Sequence, residues 1–225
     1  KKVIFVPPLA AFDSLNSQDK SDFNISFSKE EKIYGDKKLK EFGLDKNKKI
    51  VNIILRDMNY LKTNYPETDW SYHDIRYSPY SYYKSSAEKL AELGYKVVVI
   101  GASKEEFENE KVNNAIINYS NSSLKSDFMD IYINYSCEFA ISSGNGLDAI
   151  PIIFRKPIIE VAVAPLGLIR TYSKNIKILF KTYYSKSLKR KLNLEEIFEL
   201  GLYDIPYKIS DEIELIHPSS EEISD

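Results

Sequence analysis

The chain alternates between short apolar runs and amphipathic segments of helical period. The runs at residues 50–55 (IVNIIL) and 95–100 (YKVVVI) have the length and β-branched content of strands buried on both faces. Between such runs, apolar residues such as Ala87, Leu90 and Ala91 recur at helical spacing. Strands are predicted at residues 3–6, 50–55, 95–100, 115–119, 139–141, 157–161, 176–180 and 213–216, and helices at 37–42, 85–93, 126–135, 147–154 and 193–200, with others beginning at Ser103 and Ser219.

This alternation of strand and helix predicts an α/β domain with a doubly wound parallel sheet. Parallel strands need long crossover connections, and helices usually provide them. We assign residues 46–225 to this domain. Residues 11–32 are polar and irregular, so residues 1–45 are interpreted as the end of an amino-terminal domain plus a linker. Because the chain begins with Lys1 and has no signal peptide, we expect a fragment whose amino-terminal domain is missing.

Composition narrows the classes of function. The 225 residues are 43% hydrophobic and 28% charged, which favours a packed core over global disorder. The formal net charge of -2 provides no general attraction to nucleic acid, so we predict no nucleic-acid partner. The single cysteine, Cys137, excludes an internal disulfide and favours the reducing cytoplasm. No apolar run approaches the length of about 18 residues that spans a bilayer.

One short basic run, KSLKRK at residues 186–191, allows two interpretations. Because Glu195 and Glu196 follow it, we interpret it as solvated surface. The alternative is contact with an anionic partner, either an acidic acceptor or anionic lipid, and contact with lipid would place the protein at the inner face of the membrane.

The first cluster of candidate site residues follows the predicted strand at residues 50–55. Arg56 and Asp57 come directly after it, and a long polar loop then leads to Arg76. Long loops in compact domains are usually functional, and ligands of open α/β sheets bind just beyond the carboxyl ends of strands. Arg56 and Arg76 could each present a donor fork to a phosphate. The alternative is that Arg56 pairs with Asp57 or Asp74 and only pins the loop.

The same loop contains the candidates for acid–base chemistry. His73, flanked by Asp74, is a candidate general acid or base, and the alternative is a histidine that packs the loop. Trp70 could stack on a base or sugar, or could anchor the loop instead. Asp57 and Asp69 are interpreted as residues that hold the shape of the loop.

The second cluster lies where the strand predicted at residues 139–141 runs into the sequence SSGNG. Ser142, Ser143, Gly144 and Asn145 precede a predicted helix. Small residues there let backbone N–H groups approach an anion, which the helix dipole also favours. The alternative is a tight turn in which a serine caps the helix. We interpret Cys137, just before this strand, as a core thiol.

Metal ligands are not evident in the sequence. It contains no DxD, no HExxH and no cluster of cysteine and histidine. Asp127 and Asp130 lie three residues apart on a predicted helix, and we interpret them as part of a solvated face. We therefore predict no metal and no bound cofactor.

Four segments together resemble a bacterial glycosyltransferase family of surface-polysaccharide biosynthesis. They are LRDMNYL, DWSYHDIRYS, GYKVVVIGA and CEFAISSGNGLDAIPIIFRKPII, which are similar to the family patterns HVRDxxYL, DxSYHDYRN and CxFxIxxxSGLxxxPxxFxKP. The resemblance covers most of residues 50–225. The chain departs from it at Leu55, where the family often has histidine, so no catalytic role is assigned to that position. It also has Gly-Asn-Gly where the family often has Ser-Gly alone.

The resemblance extends to the donor-binding half of GT-B enzymes, notably the fucosyltransferase-like ones. It implies a GT-B-like, Rossmann-like domain at residues 46–225 that binds a nucleotide sugar and transfers the sugar to a glycan or lipid-linked acceptor without metal. Arg56 corresponds to the family's arginine after the first strand of this domain. Ser142, Ser143 and Gly144 correspond to the turn that holds the donor diphosphate. The alternatives are an epimerase-like sugar-nucleotide enzyme and a non-catalytic binding module of the same fold.

Overall fold

The computed structural model describes residues 20, 22, 25–45, 47, 49–56, 63, 65–103, 106–107, 113–170, 173–203 and 211–225, without the side chains of residues 72–73. Six parallel strands of the described chain form the main sheet. They are β1 (Ile50–Ile54), β2 (Lys96–Ile100), β3 (Ile116–Asn118), β4 (Phe139–Ser142), β5 (Ile158–Val163) and β6 (Ile176–Phe180). Their order is β3-β2-β1-β4-β5-β6, which confirms the predicted doubly wound parallel sheet. The chain adds strands first on one side of β1 and then on the other, so the strand order reverses between β1 and β4.

Helices cover both faces of this sheet, and strand residues alternate between two hydrophobic cores. Ile54 and Val98 point to one face and Ile53 and Val99 to the other, each fully buried. Burying an aliphatic side chain of this size contributes about 1.5–3 kcal/mol. The apolar runs therefore favour a position of these strands between the two cores. Among the described residues, the helices whose bounds can be given are α1 (Lys29–Glu41), α2 (Lys84–Glu92), α3 (Asp127–Ser136), α4 (Ala149–Ile153), α5 (Leu194–Glu199) and α6 (Ser220–Ser224).

A buried asparagine fixes the position of α3 on the sheet. Asn52, in the middle of β1, is fully buried, and its Nδ2 donates to the Ile133 carbonyl oxygen at 3.2 Å and to Asn134 Oδ1 at 2.9 Å. Asn134 Nδ2 in turn donates to the Asp130 carbonyl oxygen at 2.8 Å. Leaving such a buried group unpaired costs about 1–3 kcal/mol, so sliding α3 along the sheet is unfavourable.

The first described helix is longer than predicted. The helix predicted over residues 37–42 is present, but its predicted start is wrong, because α1 begins at Lys29, inside the segment 11–32 that was expected to be irregular. A capping box starts it: Glu31 N donates to Ser28 Oγ at 3.1 Å, and Ser28 N donates to Glu31 Oε2 at 2.7 Å. On α3, Tyr132 packs over Gly35 of α1 and donates its hydroxyl to Asp36 Oδ1 at 2.9 Å. The domain boundary at residue 45 stays a prediction.

The end of the chain departs from the predicted alternation of strand and helix. After β6, the strands β7 (Thr182–Ser185), β8 (Arg190–Lys191) and β9 (Ile213–Ile216) form a separate antiparallel sheet in the order β8-β7-β9. The run at residues 186–191, interpreted as solvated surface, is exposed throughout and forms the turn and edge strand of a hairpin. Tyr183, Leu192 and Ile197 supply a small core of their own beneath it.

Two predicted elements fall largely outside the described residues. One is the strand at residues 3–6, and the other is the helix beginning at Ser103. At the start of the latter, Ser103 N donates to Glu106 Oε2 at 2.8 Å, and Glu106 N donates to Ser103 Oγ at 3.4 Å.

Candidate functional site

The carboxyl ends of β1 and β4 lie side by side where the strand order reverses. Ile54 pairs with Ser142 in the parallel register, so the residues that follow the two strands meet at one edge of the sheet. Leu55 and Arg56 follow β1, and Ser143 follows β4. Ligands of open α/β sheets bind in the crevice beyond such strand ends, which makes this edge the candidate site.

The chain leaves β4 through a turn held by its own polar groups, which we call the 142–145 turn. Gly144 adopts a left-handed conformation with φ +77°, and its N–H donates to Ser142 Oγ at 3.0 Å. Ser142 Oγ donates to Asp148 Oδ2 at 3.0 Å, and Asn145 N donates to the same carboxylate oxygen at 2.8 Å. Asn145 Nδ2 donates to the Leu55 carbonyl oxygen at 2.9 Å. The turn is thereby attached to the end of β1.

Two guanidinium groups converge on this turn. Arg56 Nη2 and Arg76 Nη2 each donate to the carbonyl oxygen of Gly144 at 2.8 Å. The backbone N–H of Arg56 donates to Ser143 Oγ at 3.0 Å, which fixes the first arginine relative to the turn. Because the two groups share one acceptor, two positive charges lie next to each other. A multivalent anion beside them would relieve their repulsion, and guanidinium forks match the oxygens of a phosphate.

All six residues predicted to bind a diphosphate are therefore assembled at one place, although they come from three separate segments. Their role in binding stays a prediction. The residues brought together are Arg56, Arg76, Ser142, Ser143, Gly144 and Asn145.

The loop that carries Arg76 is described from Tyr65 onward. Asp69 Oδ1 accepts a hydrogen bond from Ser71 N at 2.9 Å, and Trp70 Nε1 donates to the Tyr65 carbonyl oxygen at 3.0 Å. A 3-10 helix, Ser71–Arg76, then leads to the site. A cavity of about 330 Å³ opens beside this helix. Its lining residues are Pro66, Thr68, Asp69, Trp70, Ser71 and Asp74.

The structure does not describe two of the predicted site residues of this loop in full. Asp57 lies outside the described residues, and so does the side chain of His73. Asp74 is described and exposed, and it lines the cavity. The catalytic role proposed for His73 or Asp74 stays a prediction.

A buried lysine, which the sequence analysis missed, holds the far end of the loop. Lys181 Nζ donates to the carbonyl oxygens of Ile75 at 2.8 Å and Tyr77 at 3.4 Å. Burial lowers the pKa of Lys181 to about 8. Next along the chain, Ser78 Oγ lies 2.5 Å from His217 Nε2, which ties the loop to the residue after β9. The loop is thus attached at the end nearest Arg76.

A third arginine, also missed, lies behind the turn and bridges two buried carboxylates. Arg170 Nη1 is 2.6 Å from Asp148 Oδ1 and 2.8 Å from Glu160 Oε1, and its Nη2 donates to the Asn145 carbonyl oxygen at 3.4 Å. Asp148 is fully buried, and Glu160 is 2% exposed. The sequence signal was a carboxylate inside the apolar run IIEVAV of β5, since a buried charge needs a partner.

The acid–base state of Glu160 follows from these surroundings. Its burial raises its pKa to about 7, and nearby Asp148 also raises the pKa. Arg170 and, to a smaller extent, Arg76 act in the opposite direction. The carboxylate thus changes charge near neutral pH beside the cations of the site.

A glycine on β2's carboxyl side lies against the end of β1. Gly101 has φ +88°, and a Cβ added there would collide with the carbonyl oxygen of Leu55. Its N–H donates to Ser120 Oγ at 2.6 Å. The backbone just before Arg56 therefore rests on a position that tolerates no side chain.

Among the described residues, no three histidine, cysteine, aspartate or glutamate side chains are grouped as a metal site would require. None of the described helices is long and apolar enough to cross a membrane.

Comparison with known proteins gives matches among solved structures alone. No family model matches the chain, and no curated protein matches it. The glycosyl transferase family 9 structure from Veillonella parvula is similar to it with a TM-score of 0.51 and 13% identity, covering 81% of this chain and 46% of that one. The E. coli ADP-heptose LPS heptosyltransferase II is similar with a TM-score of 0.49 and 14% identity, covering 69% and 44%.

The likeness to the Veillonella parvula structure concerns the fold. Together with the strand order, it confirms the predicted class: α/β, with a doubly wound parallel sheet of the GT-B-like, Rossmann-like kind. This chain spans less than half the length of both matched proteins.

Proposed function

We propose that this chain is the donor-binding part of a glycosyltransferase that moves a sugar from a nucleotide sugar to a surface-glycan or lipid-linked acceptor. The observation that carries the proposal is the convergence of Arg56 and Arg76 on the carbonyl oxygen of Gly144, at the reversal of strand order. The sequence resemblance and the glycosyltransferase names of the similar structures support it.

The chemistry of the transfer explains why such a site would serve. When the bond from sugar to diphosphate breaks, the leaving diphosphate gains negative charge. Preorganised donors lower the barrier by stabilising that charge as it develops. Arg56, Arg76 and the 142–145 turn would hold the diphosphate, and these cations supply the charge that a metal ion provides in other transferases. We therefore propose a metal-independent reaction.

The remaining roles follow the sequence predictions. His73 or Asp74 would act as the acid or base, or would orient the acceptor, while Asp57, Asp69 and Trp70 would shape the loop. An amino-terminal domain would supply the acceptor site. The reaction would take place in the cytoplasm, with the inner face of the membrane as the place of a lipid-linked acceptor.

A ligand screen tests the proposal. The wild-type chain is screened by thermal shift and calorimetry against GDP, UDP, CMP and dTDP, with and without magnesium. We expect one nucleotide to raise the melting temperature independently of magnesium and so identify the base. Arg56→Ala should weaken that binding about ten- to a hundredfold, because it removes a charged hydrogen-bond donor.

Two matched variants separate recognition from general damage. Arg56→Lys keeps the charge but loses the fork, so we expect intermediate affinity. Arg190→Ala removes an exposed arginine of the hairpin and should leave binding unchanged. A folded wild-type protein that binds none of the nucleotides would refute donor binding and favour the interpretation as a binding module for another ligand.

A further inference from the structure

The 142–145 turn is organised from behind by charges that the proposed reaction does not use. Asp148 accepts hydrogen bonds from Ser142 and Asn145 through one oxygen, and its other oxygen lies against Arg170. The same Arg170 nitrogen also lies against Glu160. One guanidinium therefore serves two buried carboxylates, and its strength of pairing with Asp148 depends on the charge of Glu160.

The charge of Glu160 also changes the net charge of the whole site. The charged groups that face it are Arg170 from the segment after β5, Asp148 from the segment before α4, and Arg76 from the loop. With Arg56 included, the cluster carries one more positive charge when Glu160 is protonated than when it is ionised. An anion at the turn is therefore bound more favourably by the protonated state.

We propose that Glu160 is a positioning residue of this site, and that it takes up a proton when a diphosphate binds at the 142–145 turn. This inference rests on the proposed function. The proton comes from the solvent buffer and is added to the Glu160 carboxylate. Once Glu160 is neutral, Arg170 pairs with Asp148 and with the backbone of the turn. The diphosphate then balances the positive charges of Arg56 and Arg76.

Burial brings the protonation of Glu160 into a pH range where a modest change in the local electrostatic potential alters it. The pKa of Glu160 is raised to about 7, so the group is mostly ionised slightly above neutral pH in the absence of ligand. An anion bound at the turn raises that pKa further, by direct repulsion and by competing for Arg170.

Calorimetry in several buffers measures the proton directly. The wild-type chain is titrated at about pH 7.5 with the nucleotide that binds in the screen and, separately, with inorganic pyrophosphate, in buffers of different ionisation enthalpy. We expect the binding enthalpy to depend on the buffer in the direction of proton uptake. A terminal phosphate of the ligand, with a pKa of about 6, would release protons beside guanidinium groups and give the opposite sign.

Variants assign the proton to its residue. Glu160→Gln should abolish the uptake and flatten the affinity above pH 7, where wild-type affinity falls by up to about tenfold per pH unit, the limit for one linked proton. Glu138→Gln removes an exposed carboxylate before β4 and should behave like the wild type. If uptake persists in Glu160→Gln, another group such as His73 takes the proton, and the inference is wrong.

The outcomes separate the two proposals. Nucleotide binding at about pH 7.5 whose enthalpy is the same in all buffers refutes proton uptake and leaves the donor site standing, because a terminal phosphate with a pKa of about 6 is already ionised there and cannot mask an uptake. Failure of both the nucleotides and pyrophosphate to bind the folded protein refutes the donor site and this inference together. Should Glu160→Gln fail to fold, the wild-type titration with the nucleotide decides between uptake and no uptake.

Discussion

Two ion pairs of this protein have the same length and very different surroundings. Arg170 Nη1 lies 2.6 Å from Asp148 Oδ1 behind the site, and Arg190 Nη2 lies 2.6 Å from Glu196 Oε1 on the hairpin. The side chains of the first pair are 19% and 0% exposed, whereas those of the second are 51% and 25% exposed.

The difference shows that distance alone does not give an ion pair its role. Water screens the pair on the hairpin and can replace either partner at little cost. Behind the site, neither Asp148 nor Glu160 can turn to water, so the loss of Arg170 would leave buried charge uncompensated. Three variants test this contrast, in order of decreasing expected effect.

Arg170→Met should have the largest effect, a destabilisation of about 3–5 kcal/mol, because it breaks a buried pair and leaves its partners behind. Chemical denaturation measures it. Adding Glu160→Gln should recover part of the loss, since one of the two buried charges is then gone. A double variant that is destabilised by the full sum of the single effects would argue against coupling between Arg170 and Glu160.

Glu160→Gln should next change how stability depends on pH. The folded-state pKa of Glu160, about 7, lies above its unfolded value of about 4.5, so the folded chain binds more protons between these values. The wild type therefore loses stability as pH rises from 4.5 to 7, by on the order of 3 kcal/mol from this group.

Denaturation at a series of pH values measures this slope. It should be smaller in Glu160→Gln and unchanged in Glu138→Gln, whose carboxylate is exposed. Equal slopes in the wild type and Glu160→Gln would mean that Glu160 does not titrate in this range.

Arg190→Met should have the smallest effect, with a melting temperature equal to that of the wild type within error. Its partner Glu196 has a lowered pKa, chiefly through the hydrogen bond from Arg190, yet both groups remain in contact with solvent. Thermal unfolding at low and high salt gives the measurement. A clear loss of stability would show that the hairpin pair matters more than its exposure indicates.

The main sheet was predictable because its signal is local. Runs such as IVNII and KVVVI are apolar throughout and of strand length, and the segments between them have helical period. The assembly of the candidate residues at one edge was also predictable. Arg56 follows β1, Ser142 ends β4 and Ser143 follows it, and parallel strands bring their carboxyl ends to one edge.

What the sequence did not reveal depends on contacts between distant segments. Arg170 contacts Glu160 of β5 and Asp148 before α4. No residue near Arg170 in the sequence indicates that it faces either carboxylate. Lys181 directly follows β6 with no local signal of burial, and only the fold places the carbonyl oxygens of Ile75 and Tyr77 around its Nζ. The start of α1 is different, because its signal is local: Ser28 and Glu31 have the spacing of a capping box, although polar residues surround them.

Gly101 gives the site a dependence that a map of ligand contacts would not reveal. Gly101 has no side chain to contact a nucleotide sugar, yet any side chain there would displace the backbone that precedes Arg56. The residue at this position is therefore constrained by the backbone at the end of the neighbouring strand, just before Arg56. If Arg56 binds the diphosphate as proposed, we expect relatives that keep an arginine there to keep the glycine as well.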